Sequence, residues 1–317
     1  MFPRLAALLF AALALAPAFA QPGTTRLVVS FTPGGPVDAV ARTLSEQLGK
    51  ELGRTVVVDN KPGANGAIGA IDVARAEPDG HTLWITSVGA AAINPSLYNK
   101  LGYDMKRDFA PVSLVVNNVE LLVVNPSNPA KDAAEFVASA KGAGKSRAMA
   151  SSGIGSIPHL AIEQLVDASG ATLLHVPYKG AAPAITDLMG GQVDGFFGDV
   201  PGLIGHVQSG RLKALGIASP KRHPALPDVK TLEEQGLRGV DTNNWYAIFA
   251  PAKTPPAVVD AVNKAIRQAL SNAAVRDKLA KSGAEPAPSS PAELASLLQR
   301  DLDKWAALIR AKHIKAE

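Results

Sequence analysis

An apolar run meets a helical pattern across a turn of glycine and proline near the amino terminus, and this junction constrains the fold most. Residues 26–31 are apolar and β-branched, whereas residues 37–52 repeat apolar side chains at helical spacing. Pro33-Gly34-Gly35-Pro36 therefore turns a buried strand into a helix. Proline suits a first helical position, which needs no N–H, and glycine leaves backbone N–H groups accessible. Unpaired donors and a positive partial charge at the helix start predict an anion site.

The order of strand, small-residue turn and helix recurs along the chain. Parallel strands joined in this way place their ligand loops along one edge of a sheet. A returning strand at 244–250 precedes a helix at 257–270, which Thr254 is expected to cap. We predict an α/β fold of two lobes that hinge like a clamshell. Each lobe would be a mainly parallel sheet flanked by helices, with two strands crossing between the lobes. The predicted domains are 21–123 plus 246–317 for domain 1 and 124–245 for domain 2.

The amino terminus has the pattern of a secretory leader. Arg4 precedes an apolar stretch at 5–15 and the small-residue sequence Ala18-Phe19-Ala20, which predicts a signal peptide over 1–20 that is cleaved before Gln21. The apolar stretch is shorter than the ~20 residues of a membrane-spanning helix. With no cysteine in the chain, neither a lipid-anchored cysteine nor a disulfide framework is expected. We therefore predict a periplasmic protein that is secreted through a cleavable signal peptide.

Composition and motifs give little support to nucleic-acid binding or catalysis. The net charge of +4 is small and scattered, and aromatic residues make up only 5% of the chain. The sequence contains no nucleophile elbow, phosphate-binding loop or zinc-protease motif. His159 and Glu163 are spaced i, i+4, but two ligands on one helix do not complete a metal site. We predict no catalytic residue, no metal and no cofactor.

Two aspartates near the end of a predicted strand are open to more than one interpretation. Asp194 and Asp199 could act in acid/base chemistry, accept a hydroxyl or ammonium group of a ligand, or serve structure, with Asp199 capping the following helix. Glycine turns in both lobes, with hydroxyls at Ser87, Ser152 and Ser156, favour recognition of a small carboxylate by N–H and hydroxyl donors.

A leader and six short motifs in a fixed order give the chain a family resemblance that covers essentially the whole mature sequence. After the leader come Pro33-Gly34-Gly35-Pro36-x-Asp38, 60–66 (NKPGANG), 78–82 (PDGHT), Tyr178-Lys179-Gly180, 190–194 (GGQVD) and Ala250-Pro251-Ala252-x-Thr254-Pro255. With these motifs the chain resembles the Bug family of extracytoplasmic solute receptors, the binding components of tripartite tricarboxylate transporters.

The resemblance implies a two-domain, type II-like periplasmic-binding-protein clamshell. It would close on a small mono- or dicarboxylate, deliver it to the membrane subunits of the transporter, and act as a monomer that is not an enzyme. The implied ligand-binding residues are Phe31, Thr32, Gly34, Gly35, Asp38, Asn65, Gly66, Ser87, Val88, Gly89, Ala90, Ser152, Gly155, Ser156 and His159, with Tyr178, Lys179 and Asp199 at the mouth or far end. Thr32 and Gly198 depart from the common family pattern, which can reshape the distal pocket.

Two other functions stay open at this point. A signalling co-receptor would present its closed form to a sensor kinase, and a periplasmic hydrolase would act on an acyl or phosphoryl compound. The sequence does not decide which acid binds, or whether Lys179, Asp194 and Asp199 touch it.

Overall fold

A computed structural model describes residues 23–142 and 145–316. The predicted signal peptide over 1–20 lies outside these described residues. Within the two described ranges, no helix combines the length and apolar character needed to cross a membrane.

The described residues form eleven strands and eleven helices. The strands are β1 (Thr24–Val29), β2 (Thr55–Asn60), β3 (Thr82–Ser87), β4 (Phe109–Asn117), β5 (Glu120–Val124), β6 (Arg147–Ser151), β7 (Leu173–Pro177), β8 (Gly195–Asp199), β9 (Lys213–Ile217), β10 (Tyr246–Pro251) and β11 (Glu285–Pro286). The helices are α1 (Pro36–Leu52), α2 (Ala67–Ala74), α3 (Asn94–Leu97), α4 (Met105–Asp108), α5 (Ala133–Ala138), α6 (Ile157–Ser169), α7 (Ala181–Met189), α8 (Val200–Gln208), α9 (Pro256–Ser271), α10 (Ala273–Lys281) and α11 (Pro291–Ala311). Short helical turns at Ala64–Gly66, Gly89–Ile93 and Glu233–Gln235 complete the set.

These strands build two separate mixed sheets, one in each lobe. The first has the order β11-β4-β10-β3-β1-β2, and the second has the order β7-β6-β8-β5-β9. Strands joined through helices are parallel, namely β1 with β2 and β3, and β6 with β7 and β8. Strands that follow the two crossings, β5 and β10, are antiparallel to both of their neighbours. The α/β fold of two helix-flanked sheets is confirmed, and its antiparallel pairs come from the crossings.

Two chain segments connect the lobes side by side. Asn118 and Val119 lead from β4 into β5, and residues 243–245 lead back into β10. The segments are paired, since Asn244 N–H donates to Asn118 O at 2.8 Å and Val119 forms a bridge with Asn243. Because β5 lies wholly in the second sheet, we propose that the boundary between the lobes lies at Asn118 and Val119, a few residues before the predicted boundary at 123.

Each sheet is covered by apolar helix faces. In the first lobe α1, α9 and α10 cover one face, and α2, the Gly89–Ile93 turn and α11 cover the other. Leu294, Leu298, Trp305 and Ile309 are buried on α11. These side chains pack the C-terminal helix against the first sheet.

The start of α9 differs from the sequence prediction. Its N-cap residue is Pro255, and no side chain caps it. Thr254 is buried, and its hydroxyl has no hydrogen-bond partner among the described residues. The prediction that Thr254 caps this helix is therefore wrong, because the helix begins one residue later than that geometry requires.

Candidate functional site

Asp38 organises the turn between β1 and α1. Its Oδ2 accepts from Gly34 N–H at 2.9 Å and from Arg42 Nε at 2.9 Å, and its Oδ1 accepts from Asn60 Nδ2 at 2.9 Å. Burial alone would raise the pKa of Asp38, but these hydrogen bonds together lower it below its ordinary value. Both carboxylate oxygens accept hydrogen bonds from the protein itself. Asp38 therefore stabilises the turn that was predicted to bind the ligand.

The same turn also uses the donor of its second glycine. Gly35 N–H donates to Thr32 O at 3.2 Å, and Ala39 N–H donates to Gly35 O at 2.9 Å. Pro36 occupies the first helical position as predicted. The N–H groups of Val37 and Asp38 have no carbonyl one turn earlier in the helix. The free donors of α1 are therefore these two, which follow the predicted Gly34 and Gly35 in the chain.

The loop after β2 and the segment after β3 contact each other at the edge of the sheet where β1 ends. Asn65, at φ 46°, donates from Nδ2 to Asn94 Oδ1 at 2.8 Å, and Asn94 Nδ2 returns a bond to Asn65 O at 3.0 Å. Gly66 has φ +91°, and a Cβ there would lie only 2.8 Å from Ala90 Cβ. Phe31, Ser87, Val88 and Gly89 complete this edge, so the structure brings the three predicted loops together.

In the second lobe, the predicted turn before α6 is ordered by Ser156 and His159. Ser156 is the N-cap residue, accepting from His159 N–H at 3.4 Å and donating to Gly153 O at 2.7 Å. Gly155 N–H donates to His159 Nδ1 at 3.0 Å, which places the ring proton on Nε2. Gly155 has φ +73°, and a Cβ there would overlap Leu97 Cδ2 of the first lobe. This turn is thus a point of close contact between the lobes.

A stacked histidine pair lies behind this turn. The rings of His159 and His175 are 3.7 Å apart and nearly parallel, and His175 Nε2 is 2.6 Å from Ser151 Oγ. Burial lowers the pKa of His175 to about 4; burial and the neighbouring ring lower that of His159 to about 3. Glu163 lies 3.8 Å from His159 Nε2. The described residues contain no group of three or more side chains suited to hold a metal ion.

Three further predicted residues have partners or positions outside the cavity described next. Tyr178 donates its hydroxyl to Asp187 Oδ2 at 2.7 Å, and burial together with Asp187 raises the pKa of Tyr178 to about 12. Lys179 is exposed. Asp194 Oδ2 accepts from Ala148 N–H at 2.7 Å at the start of the adjacent strand, a structural contact.

A cavity of about 60 Å³ lies between the lobes. It is bordered by the first turns of four helices, through Pro36 of α1, Pro158 of α6, Ala181 of α7 and Gly202 of α8. Ser152, a predicted ligand residue, also lines it. Because the amino end of a helix carries unpaired N–H groups and a partial positive charge, this arrangement favours an anionic group. The positions of Pro158, Ala181 and Gly202 were not predicted as site residues.

The floor of the cavity is acidic. Asp199 and Glu120 face each other as partners of β8 and β5, and both line the cavity with Asn244. Asn244 Nδ2 donates to Asp199 Oδ1 and Oδ2 at 2.9 and 3.0 Å, and Tyr246 OH donates to Oδ2 at 2.6 Å. Asp199 occupies the N-cap position of α8, but its side chain makes no capping bond. Its side chain therefore binds Asn244 of the returning segment and Tyr246 at the start of β10.

The two carboxyl groups differ in their preferred charge state. Burial raises the pKa of Glu120 well above its ordinary value, and the charge of Asp199 raises it further. Burial also raises the pKa of Asp199, while donors from Tyr246 and Asn244 act in the opposite direction. The pair therefore favours holding one proton, and Glu120 is the group whose pKa is raised more strongly. Sequence reasoning missed Glu120, although a glutamate inside the apolar run 119–124 was an available signal.

Comparisons with known proteins agree with this architecture. The model of the TctC family, described as tripartite tricarboxylate transporter family receptor, matches residues 40–314. The protein BugT of Bordetella pertussis is 34% identical over 286 residues, which cover 90% of this chain and 88% of BugT.

Two similar solved structures contain organic acids. MatC of Rhodopseudomonas palustris with bound malate is 33% identical, with a TM-score of 0.81 over 90% of this chain and 98% of MatC. R. palustris Rpa4515 with adipate is 31% identical, with a TM-score of 0.86 over 94% of this chain and 99% of that protein. The chain therefore belongs to the Bug family, the solute receptors of tripartite tricarboxylate transporters.

Proposed function

We propose that this protein is a periplasmic receptor that captures a small organic carboxylate between its lobes and delivers it to the membrane subunits of a tripartite tricarboxylate-type transporter. The observation that carries the proposal is the cavity bordered by the amino ends of α1, α6, α7 and α8. A carboxylate there receives N–H donors and helix-dipole stabilisation without a basic side chain. Malate and adipate in the related structures are ligands of this chemical class.

We infer a binding function in preference to hydrolysis. Ser151 and His175 are within hydrogen-bond distance, which is the geometry of an activated nucleophile. Ser151 is fully buried, however, and within the described residues no carboxylate forms a hydrogen bond or ion pair with His175 that would orient it as a base. A substrate has no access to the Ser151 hydroxyl in this arrangement.

The test of binding is a thermal-shift screen of the secreted chain against mono-, di- and tricarboxylates, followed by calorimetry. A ligand at 100 times its Kd adds about 2.7 kcal/mol to the free energy of unfolding. For a chain of this size we expect the midpoint to rise by several degrees. The matched control for each acid is its amide, which has the same shape but no charge. Equal shifts with the acid and its amide, or no shift with any acid, would contradict the proposal.

Delivery needs a separate measurement. Cells that lack the protein should lose uptake of the labelled acid identified in the screen, and the wild-type gene should restore it. Undiminished uptake in the deletion strain, together with tight binding in vitro, would reject delivery and favour the signalling alternative.

A further inference from the structure

The cavity floor contains more buried hydrogen-bond acceptors than the protein satisfies. By hydrogen-bond geometry neither oxygen of Glu120 accepts from a donor in the described chain, although the side chain is fully buried and its neighbours Asp199 and Asn244 are close enough to shift its pKa. The Oδ1 atom of Asn244, a residue only 8% exposed, is likewise without a partner. Buried acceptors without donors are destabilising and rare. Their concentration beside a cavity indicates that a donor comes from outside the chain.

The orientation of Asn244 follows from its neighbour. Its NH₂ group must face Asp199, because that carboxylate can only accept hydrogen bonds. The amide oxygen of Asn244 is therefore directed away from Asp199 and stays free. The Asn244 acceptor does not depend on an arbitrary choice of amide orientation.

A positive charge is also missing from this floor. Within residues 23–142 and 145–316, no Lys, Arg or His forms an ion pair with Glu120 or Asp199 within 4.0 Å. When Glu120 is protonated, it can donate a hydrogen bond to the ionised Asp199, and the pair then carries one negative charge. The other oxygen of Glu120 and Asn244 Oδ1 are still free to accept hydrogen bonds. This set suits a group that donates hydrogen bonds and repels a second carboxylate.

The two sides of the cavity thus have opposite character. The helix amino ends at Pro36, Pro158, Ala181 and Gly202 favour an anion, whereas Glu120, Asp199 and Asn244 favour a donor. A ligand that satisfies both sides carries a carboxylate and, a short distance along the same carbon chain, a hydroxyl or ammonium group.

We propose that Glu120, Asp199 and Asn244 form a donor-reading subsite that makes this receptor select hydroxy or amino acids over the corresponding unsubstituted acids. This inference rests on the proposed function, because the helix amino ends must hold the ligand carboxylate. Glu120 and the free oxygen of Asn244 accept from the hydroxyl or ammonium group, and Asp199 supplies the charge behind them. The subsite determines which acid binds more tightly, and it does not alter how the helix amino ends hold the ligand carboxylate.

The experiment is calorimetry with matched ligand series that differ in one substituent. The series are propionate, lactate and alanine; succinate, malate and aspartate; and glutarate, 2-hydroxyglutarate and glutamate. In the series of the right length, we expect the hydroxy or amino member to bind at least about tenfold tighter than the unsubstituted acid. Malate above aspartate would identify a hydroxyl as the group read, and the reverse order would identify an ammonium.

Two substitutions at Glu120 separate chemistry from structure. Glu120→Gln can donate to Asp199 as the protonated acid does and keeps one accepting oxygen, so the preference should persist. Glu120→Met has similar length but no acceptor, and the preference should fall to about threefold or less while the unsubstituted acid still binds. That remaining binding shows that the Met variant is folded. Glu233→Gln, an exposed position in the same lobe, is the matched control and should behave as wild type.

The outcomes distinguish this inference from the proposed function. If acids bind but the unsubstituted member is equal or tighter, the donor-reading subsite is rejected and the carboxylate receptor stands. If the Met variant keeps the full preference, the subsite is also rejected. If no member of any series binds to the wild-type protein, the proposed function fails and the inference fails with it.

Discussion

Gly155 provides the sharpest test of how the lobes meet around the ligand. Its φ of +73° is left-handed, and a Cβ at this position would overlap Leu97 Cδ2 and lie 3.2 Å from Leu97 Cγ, across the lobe boundary. Gly155→Ala therefore has two separable effects. The left-handed backbone strains an alanine within the second lobe, and the methyl group collides with the first lobe only when the two lobes are as close as in this structure.

The two effects have different magnitudes and different readouts. Left-handed strain costs about 1–2 kcal/mol of unfolding free energy, whatever the lobes do. Forced overpacking of one methyl group costs about 1–3 kcal/mol, and this cost falls on the lobe arrangement of this structure, which we take as the ligand-bound form. Since every 1.4 kcal/mol is tenfold in Kd, the carboxylate should bind about 5- to 150-fold more weakly.

The assay is calorimetry with the acid found by screening, together with thermal unfolding of the free protein. Gly170→Ala is the matched control, because Gly170 has φ +65° and nothing within 4 Å of an added Cβ. The control should lose similar stability and keep its affinity. In a Leu97→Ala background, Gly155→Ala should lose much less affinity, since the colliding atoms are gone. A Gly155→Ala protein that is destabilised but binds as tightly as wild type would refute the role of this contact in closure.

Three further predictions follow from single sites. Gly35→Asp adds a negative charge at the N-cap of α1, so it should weaken carboxylate binding at least about tenfold relative to the isosteric Gly35→Asn in calorimetry; equal affinities would exclude this helix end from the anion site. The pKa values of His175 and His159 fall to about 4 and about 3 in the folded protein, below the ~6.5 of an unfolded chain, so the unfolded state binds more protons below that pH. The free energy of unfolding should then decrease as pH falls from 6.5 towards 4, by up to about 1.4 kcal/mol per pH unit for each histidine. In denaturation curves, His175→Gln should remove the contribution of one histidine to this pH dependence. An unchanged pH dependence in the variant would contradict the burial of His175 as a neutral ring. Leu294→Ala on α11, at a fully buried position, should cost about 2–5 kcal/mol in denaturant unfolding, and Leu297→Ala, which is only partly buried, should cost clearly less.

The element order was predictable from the sequence because local patterns determine it. Residues 26–31 and 37–52 have distinct periodicities, and the structure places β1 and α1 there, with Pro36 at the first helical position. Alternation of strands and helices also implied that the loops meet at one edge, and Asn65, which lies against Gly89 and is bonded to Asn94, confirms that convergence.

Which donors stay free could not be predicted, since hydrogen bonds within a turn depend on side chains from other elements. Gly34 looked available for an anion, but its N–H is taken by Asp38, which Asn60 at the end of β2 also holds in place. The motif indicated the correct turn. It did not indicate that Val37 and Asp38 contribute the free N–H groups.

The pairing of Glu120 with Asp199 on the cavity floor could not be predicted from the sequence, because it depends on contacts between distant strands. Glu120 and Asp199 are far apart in the chain and meet only through the antiparallel register of β5 and β8, which no local pattern specifies. Glu120 begins the strand that enters the second lobe, and Asn244 lies on the segment that leaves it. A ligand group held by both residues therefore bridges the two crossing segments directly. In the proposed hinged closure these segments would bend, so binding the donor group and closing around the ligand would depend on the same few hydrogen bonds.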